Sequence, residues 1–138
     1  MDFLKNFSDR GILVVILSMS IQPILDVIEQ RLGFSAQCIG NKVLLDEENH
    51  RFDRNADNRM ISGQDKLERL KQITQIYNVK TPLVIGHSHN ELPLVHYARC
   101  QGGISIGINP QKETQDEFDI LLRGLSWGKL LNKNMGFC

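Results

Sequence analysis

The sequence predicts a three-layer α/β/α domain of Rossmann-like design, built on a parallel sheet. Three observations predict it. Ile12 to Leu17 is an unbroken apolar run, mostly β-branched, as expected of a strand buried on both faces. Shorter aliphatic runs recur at Leu83–Ile85 and within Gly103–Ile108. Between these runs lie segments with apolar residues at helical spacing, the alternation that threads strands and crossover helices in turn.

The elements follow in order. Phe3, Leu4 and Phe7 sit at helical spacing ahead of the first run, and Gly11 stops that helix. Ser18-Met19-Ser20 reads as the turn after the first strand. Ser20 or Gln22 stands near the N-cap of the next helix, Pro23 suits its first turn and Gly33 its end. Ile21, Leu25, Ile28 and Leu32 form its apolar stripe, flanked by Asp26, Glu29 and Arg31. A short strand follows around Ala36 to Ile39. Residues 41–61 change character: Asp46, Glu47, Glu48, Arg51, Asp53, Arg54, Asp57 and Arg59 leave few apolar anchors. This stretch reads as a solvated, mixed-charge excursion, with Val43–Leu45 as one arm of a hairpin.

A second helix is expected from Gln64 to Tyr77, with Leu67, Leu70, Ile73 and either Ile76 or Tyr77 facing inward. Thr81-Pro82 breaks it before the Leu83–Ile85 strand. Gly86 to Asn90 is a polar turn, Glu91 to Arg99 a helix, and Gly103 to Ile108 a strand closed by Asn109-Pro110. Thr114 and Glu117 are spaced as a capping box for a last helix through Leu122. Residues 1–125 thus read as one domain carrying the excursion at 41–61, and residues 126–138 as an unassigned tail.

The bulk numbers bound the function. The 138 residues suit one domain, and 41% hydrophobic content suffices for a core. Sixteen basic and sixteen acidic residues cancel, which removes any global pull toward nucleic acid or an anionic membrane. Cys38, Cys100 and Cys138 include no CxxC pair, so reduced thiols and a cytoplasmic location are expected. The longest apolar run is too short to span a bilayer, and no basic segment leads into an apolar stretch at Met1.

Ligands of parallel α/β folds gather beyond the carboxyl ends of the strands, which picks out Ser18–Ser20 and Gly86–Glu91. Val14-Val-Ile-Leu-Ser18-Met-Ser20 is an apolar strand ending in Ser. Gly63-Gln-Asp-Lys66 places a Lys at a helix start. Val84-Ile-Gly-His87-Ser-His-Asn-Glu91-Leu-Pro-Leu94 has the form of a GDSxxD loop followed by an apolar Leu-Pro stretch. In this order the three segments resemble the second, third and fourth motifs of haloacid-dehalogenase-type (HAD) phosphatases, in their phosphoserine-phosphatase-like branch. Ala98 and the strand from Gly103 to Asn109-Pro110 continue the likeness, which covers about residues 3–110. The resemblance implies phosphomonoester hydrolysis through an aspartyl-phosphate, assisted by magnesium. It implies that Ser18, with Ser20 beside it, and Lys66 contact the phosphoryl oxygens. It further implies that the loop of Gly86, Ser88 and Asn90, with His87 and Glu91 at the acidic positions, faces the metal.

Two departures weigh against intact chemistry. No DxDxT-type strand, the usual source of the nucleophile, occurs in these residues: Asp2, Asp9 and Asp53-Arg-Asn-Ala-Asp57 stand in the wrong settings. His87 replaces the first acidic residue of the fourth motif and Glu91 lengthens the second, although magnesium prefers hard carboxylate ligands. The resemblance therefore implies a HAD-like domain lacking the first strand and the cap, and inactive alone. The alternatives are half of a split phosphatase completed by a chain carrying the Asp, or a non-catalytic phosphate-binding or interaction module. Since the missing strand lies centrally in the family, the strands flanking it either pair directly, gain a strand from a complementing chain, are covered in a homodimer, or leave the polypeptide poorly stable. Phosphate or a small phosphomonoester is the expected ligand.

Plainer readings stand beside these. Ser18 and Ser20 can cap the following helix, and Lys66 can be a solvated surface charge. His87, His89 and His96 lack the ligand set of a zinc site, Asp46–Glu48 lack EF-hand spacing, and Gly102-Gly103 serves a turn.

Overall fold

The computed structural model describes residues 2–43, 45–46, 51–52 and 62–124. These residues fall into two units, one up to residue 61 and the other from residue 62.

The first unit is a βαβ motif preceded by a helix. Helix α1 (Asp2–Asp9) ends in a tight reversal in which the Gly11 and Ile12 amides bond the carbonyls of Ser8 and Phe7. Strand β1 (Val15–Ile21) leads into α2 (Gln22–Arg31), and β2 (Gln37–Asn41) returns parallel to β1. Leu25, Leu32 and Cys38 form the core here, with Ile16, Phe34 and Ala36 packed against it. Gln22 fastens the helix start to β2: its amide group donates to the Cys38 carbonyl, and its oxygen accepts the Gly40 N–H. Glu29 accepts the Cys38 amide, and burial together with that carboxylate pushes the Cys38 thiol up. Strands β3 (Leu45–Asp46) and β4 (Arg51–Phe52) pair antiparallel, so the excursion contains a hairpin, with its first arm at Leu45–Asp46 where Val43–Leu45 was expected. The remainder of the 41–61 charge run lies outside the described residues, as does the tail from residue 125.

The second unit packs two helices with a three-stranded parallel sheet. Helix α3 (Gly63–Ile76) lies against α4 (Leu92–Cys100). The sheet has the order β5 (Leu83–Gly86), β6 (Ile104–Ile108), β7 (Ile120–Leu122). All three strands run parallel in register, with Val84 beside Ser105 and Ile106 beside Ile120. Val95 and Ala98 are fully buried, and Leu94, Val84, Ile106, Ile108 and Phe118 complete the core. Thr74 and Tyr97 share a hydroxyl hydrogen bond of 2.9 Å between the helices.

Four sequence expectations need correction. The first strand begins at Val15 and continues through Ser18–Ser20, expected as a turn, and Ile21, expected on the helix. It is half-buried rather than enclosed on both faces, with Ile12 and Leu13 exposed and Val14 buried. Ser20 does not cap α2: Ile21 holds the N-cap position without a side-chain bond, and the Ser18 hydroxyl turns back to the Ser20 amide. On α3 Ile73 is buried and Leu67 and Leu70 half-buried, as expected, and Lys66 and Thr74 join them, whereas Ile76 and Tyr77 are exposed at 74% and 54%. Finally, Thr114 and Glu117 frame a short 3₁₀ turn (Gln115–Glu117), and Ile120–Leu122 is a strand, not helix. The reason lies in Asp119. Its carboxylate accepts the Ser105 amide and hydroxyl, and so docks the segment beside β6.

Candidate functional site

The residues singled out by sequence divide between the two units. Ser18 and Ser20 belong to the first. Regular pairing of β1 with β2 holds from Val15 to Leu17 and resumes only at Ile21, opposite Asn41. Four residue steps on β1 thus match two on β2, so the serines sit on an irregular, bulged end of the strand. Bulges of this kind re-aim side chains and free backbone groups. Here the Asn41 side-chain amide donates to the Met19 carbonyl, and Ser18 accepts the Ser20 N–H at 3.0 Å.

Lys66, Gly86, His87, Ser88, Asn90 and Glu91 belong to the second unit, and there the structure gathers them. A capping box starts α3: the Ser62 hydroxyl accepts the Asp65 amide, and the Asp65 carboxylate accepts the Ser62 amide. Lys66 follows in the first turn, where the helix dipole disfavours a cation. Its side chain is nevertheless buried, and its Nζ donates to Glu91 Oε1 at 2.9 Å. Glu91 closes the short 3₁₀ turn (His89–Glu91) between β5 and α4. Its second oxygen, Oε2, accepts the Ser88 amide at 2.9 Å, the Ser88 hydroxyl at 2.8 Å and the His87 amide at 3.3 Å.

Two glycines make this approach feasible. A Cβ at Gly86 would lie 2.6 Å from Glu91 Cγ, and one at Gly63 would lie 2.6 Å from the Asn90 carbonyl oxygen. Both distances are far inside contact, so the strand end and the helix start can meet the turn only without a side chain. Burial is the largest influence on Glu91 and raises its pKa. The hydrogen bonds from Lys66 and Ser88, with the Lys66 charge, outweigh it and bring the carboxyl from 4.5 down to about 2. Glu91 is therefore an anion whose charge is already spoken for inside the protein.

His87 is placed differently. Its ring is 59% exposed, with Nδ1 3.9 Å from Glu91 Oε2, and its carbonyl accepts the Gln111 amide. His89 is exposed, and His96 faces Glu117 at 3.0 Å on α4. Among the described residues, no three His, Cys, Asp or Glu side chains gather to hold a metal. Magnesium needs hard oxygen ligands in a near-octahedral array. Both Glu91 oxygens already serve protein donors and His87 offers imidazole, so the residues present do not fit it.

Sequence reading missed three features. The Ser62–Asp65 box was legible as an S-x-x-D pattern before an amphipathic stretch. The burial of Lys66 and its pairing with Glu91 were not, because their 25-residue separation in the chain leaves no periodic trace. The Asp119–Ser105 dock was equally silent. Hydrogen bonds from the Ser105 hydroxyl and amide, with Arg99 adding, outweigh burial and hold the Asp119 carboxyl below the usual range. Among the described residues, no helix is long and apolar enough to cross a membrane.

No protein-family model and no curated protein sequence matches the chain. Solved structures do. A HAD-family hydrolase from Salmonella enterica serovar Typhi aligns over 93% of this chain with a TM-score of 0.74 at 15% identity. A phosphoserine phosphatase in its apo form covers 94% at TM-score 0.74 and 16% identity. A probable phosphoserine phosphatase from Vibrio cholerae covers 88% at 0.71 and 16%. The chain spans 42%, 62% and 36% of those three chains, respectively. What these likenesses establish is the fold: parallel strands with flanking helices, as in the HAD-family hydrolases, phosphoserine phosphatases among them.

Proposed function

We propose that residues 1–125 act as a HAD-type phosphatase-family domain that retains part of a phosphate pocket and performs no phosphoryl transfer alone. The observation that carries this reading is the engagement of Glu91. Its Oε2 is saturated by three donors and its Oε1 faces the Lys66 ammonium, a setting unfavourable to a second cation. The 138 residues also hold no DxDxT strand to supply a nucleophile. Within this reading Ser18 and Ser20 in the first unit, and Lys66 in the second, are each candidates for phosphate contact; Gly86, Ser88 and Asn90 shape the loop, and the ligand is phosphate or a small phosphomonoester. The cytoplasm is the expected location, in keeping with the free thiols of Cys38 and Cys100. Purified protein should not turn over p-nitrophenyl phosphate with magnesium. Inorganic phosphate should raise its melting temperature, and Ser18→Ala or Lys66→Ala should diminish that rise. Turnover above the buffer rate that either substitution abolishes would contradict the reading.

A second reading has its own observation. Among the described residues β1 hydrogen-bonds only with β2, and β5 only with β6. Each of these strands can thus accept one more neighbour. A separate chain that adds a parallel strand ending in Asp-x-Asp-x-Thr would make this protein half of a split phosphatase. Turnover that appears only when a peptide of that pattern is added would favour the split enzyme. A concentration-dependent dimer without turnover would favour a second copy covering the edges.

A further inference from the structure

We infer that the Lys66–Glu91 pair does for the 86–91 turn what a bound cation would otherwise do, holding it closed so that the second unit is stable without metal. The inference rests on geometry within that unit and is independent of whether the chain binds phosphate.

The charges balance locally. Lys66 and Glu91 are 6% and 9% exposed, 2.9 Å apart, and each is the other's neutralising charge. Among the described residues, no buried side-chain nitrogen or oxygen lacks a partner, so no buried side chain of the turn is left for an ion to satisfy. Lys66 also stands where a helix start disfavours positive charge, a cost the carboxylate opposite it offsets. A magnesium ion beside Lys66 would add a second positive charge at close range and take away the oxygens that offset the first.

Side-chain length matters as well. Glu91 starts from the end of the turn and must serve two directions at once, Lys66 on α3 through Oε1 and the Ser88 and His87 amides through Oε2. Its stem lies over Gly86, where a Cβ would come within 2.6 Å of Cγ and 2.8 Å of Cβ. The backbone at Gly86 is thus fitted to this side chain. One connected set of bonds then ties the end of β5, the turn, and the start of α3.

The test is thermal unfolding of wild type, Glu91→Gln and Lys66→Met, each in EDTA and in about 10 mM magnesium chloride. Metal that bound the folded form with a dissociation constant of about 0.1 mM would raise the wild-type melting temperature by roughly 10 °C under those conditions. The expected result is a wild-type shift of less than about 1 °C. Each single variant should melt about 10 °C or more below wild type, with no recovery on adding magnesium, because each leaves a buried charge uncompensated. A magnesium-dependent rise in wild type that disappears in Glu91→Gln would overturn the inference. So would variants that melt with wild type. Should either variant not fold, magnesium titration of the wild type followed at the Ser88 and Glu91 amide resonances decides alone. Unmoved resonances support the inference, and saturable shifts overturn it.

Discussion

Neutralising Glu91 by acid and neutralising it by substitution should remove the same free energy once, not twice. Its carboxyl is lowered from 4.5 to about 2 in the folded protein. A displacement of that size corresponds to about 3 kcal/mol of stability, present when the group is ionised in both folded and unfolded states. Because the folded value is the lower one, the contribution is complete above pH 4.5, declines as pH falls, and is gone below about 2. Glu91→Gln removes the charge at every pH. The difference in unfolding free energy between wild type and variant should therefore be about 3 kcal/mol or more near neutrality and shrink toward zero at about pH 2. The other carboxylates titrate in both proteins and cancel in the difference. Denaturant unfolding followed by circular dichroism across that range measures it. A gap that stays constant from neutrality to pH 2, or one absent at neutrality, would refute the ion-pair account.

Further outcomes follow from the same contacts. Gly86→Ala should cost about 2 kcal/mol in denaturant unfolding, since the new Cβ would lie 2.6 Å from Glu91 Cγ; a neutral result would mean the turn is looser than described. Asp119→Asn should lower stability at pH 7 by about 1–3 kcal/mol through the lost bonds to buried Ser105. That loss should shrink as acid protonates the wild-type carboxyl, whose folded pKa is depressed. In a double-mutant cycle, Thr74→Val with Tyr97→Phe should show a coupling of about 1 kcal/mol for the hydroxyl pair joining α3 and α4. His87→Asp alone should create no phosphatase activity in a colorimetric assay, because a carboxylate there does not supply the nucleophile.

How far the sequence could be read depended on whether the signal was local. The Leu83–Ile85 and Gly103–Ile108 runs became neighbouring parallel strands because short aliphatic runs bounded by Pro and Gly have few other stable settings. The 114–122 segment failed because a helix-like spacing competed with a strand whose support is distant. Asp119 finds Ser105 fourteen positions earlier, a contact that no local pattern encodes. At the site the split is the same. Ser18, Lys66 and Gly86–Glu91 stood out by order and by position at element ends. The burial of Lys66 became visible only when α3 met the turn, with Gly63 close against Asn90. Lys66, which taken alone reads as a solvated surface charge, proves to lie in the packed side of α3, and the residue that compensates it is Glu91.

The central claim is a HAD fold without phosphoryl-transfer chemistry of its own, and the reaction's first covalent step tests it most directly. The protein should be incubated with magnesium and a reactive phosphoryl donor such as acetyl phosphate, then examined by intact-mass spectrometry. The account predicts an unmodified chain. A hydroxylamine-labile adduct with the mass of one phosphoryl group, located on an aspartate of these 138 residues, would contradict it.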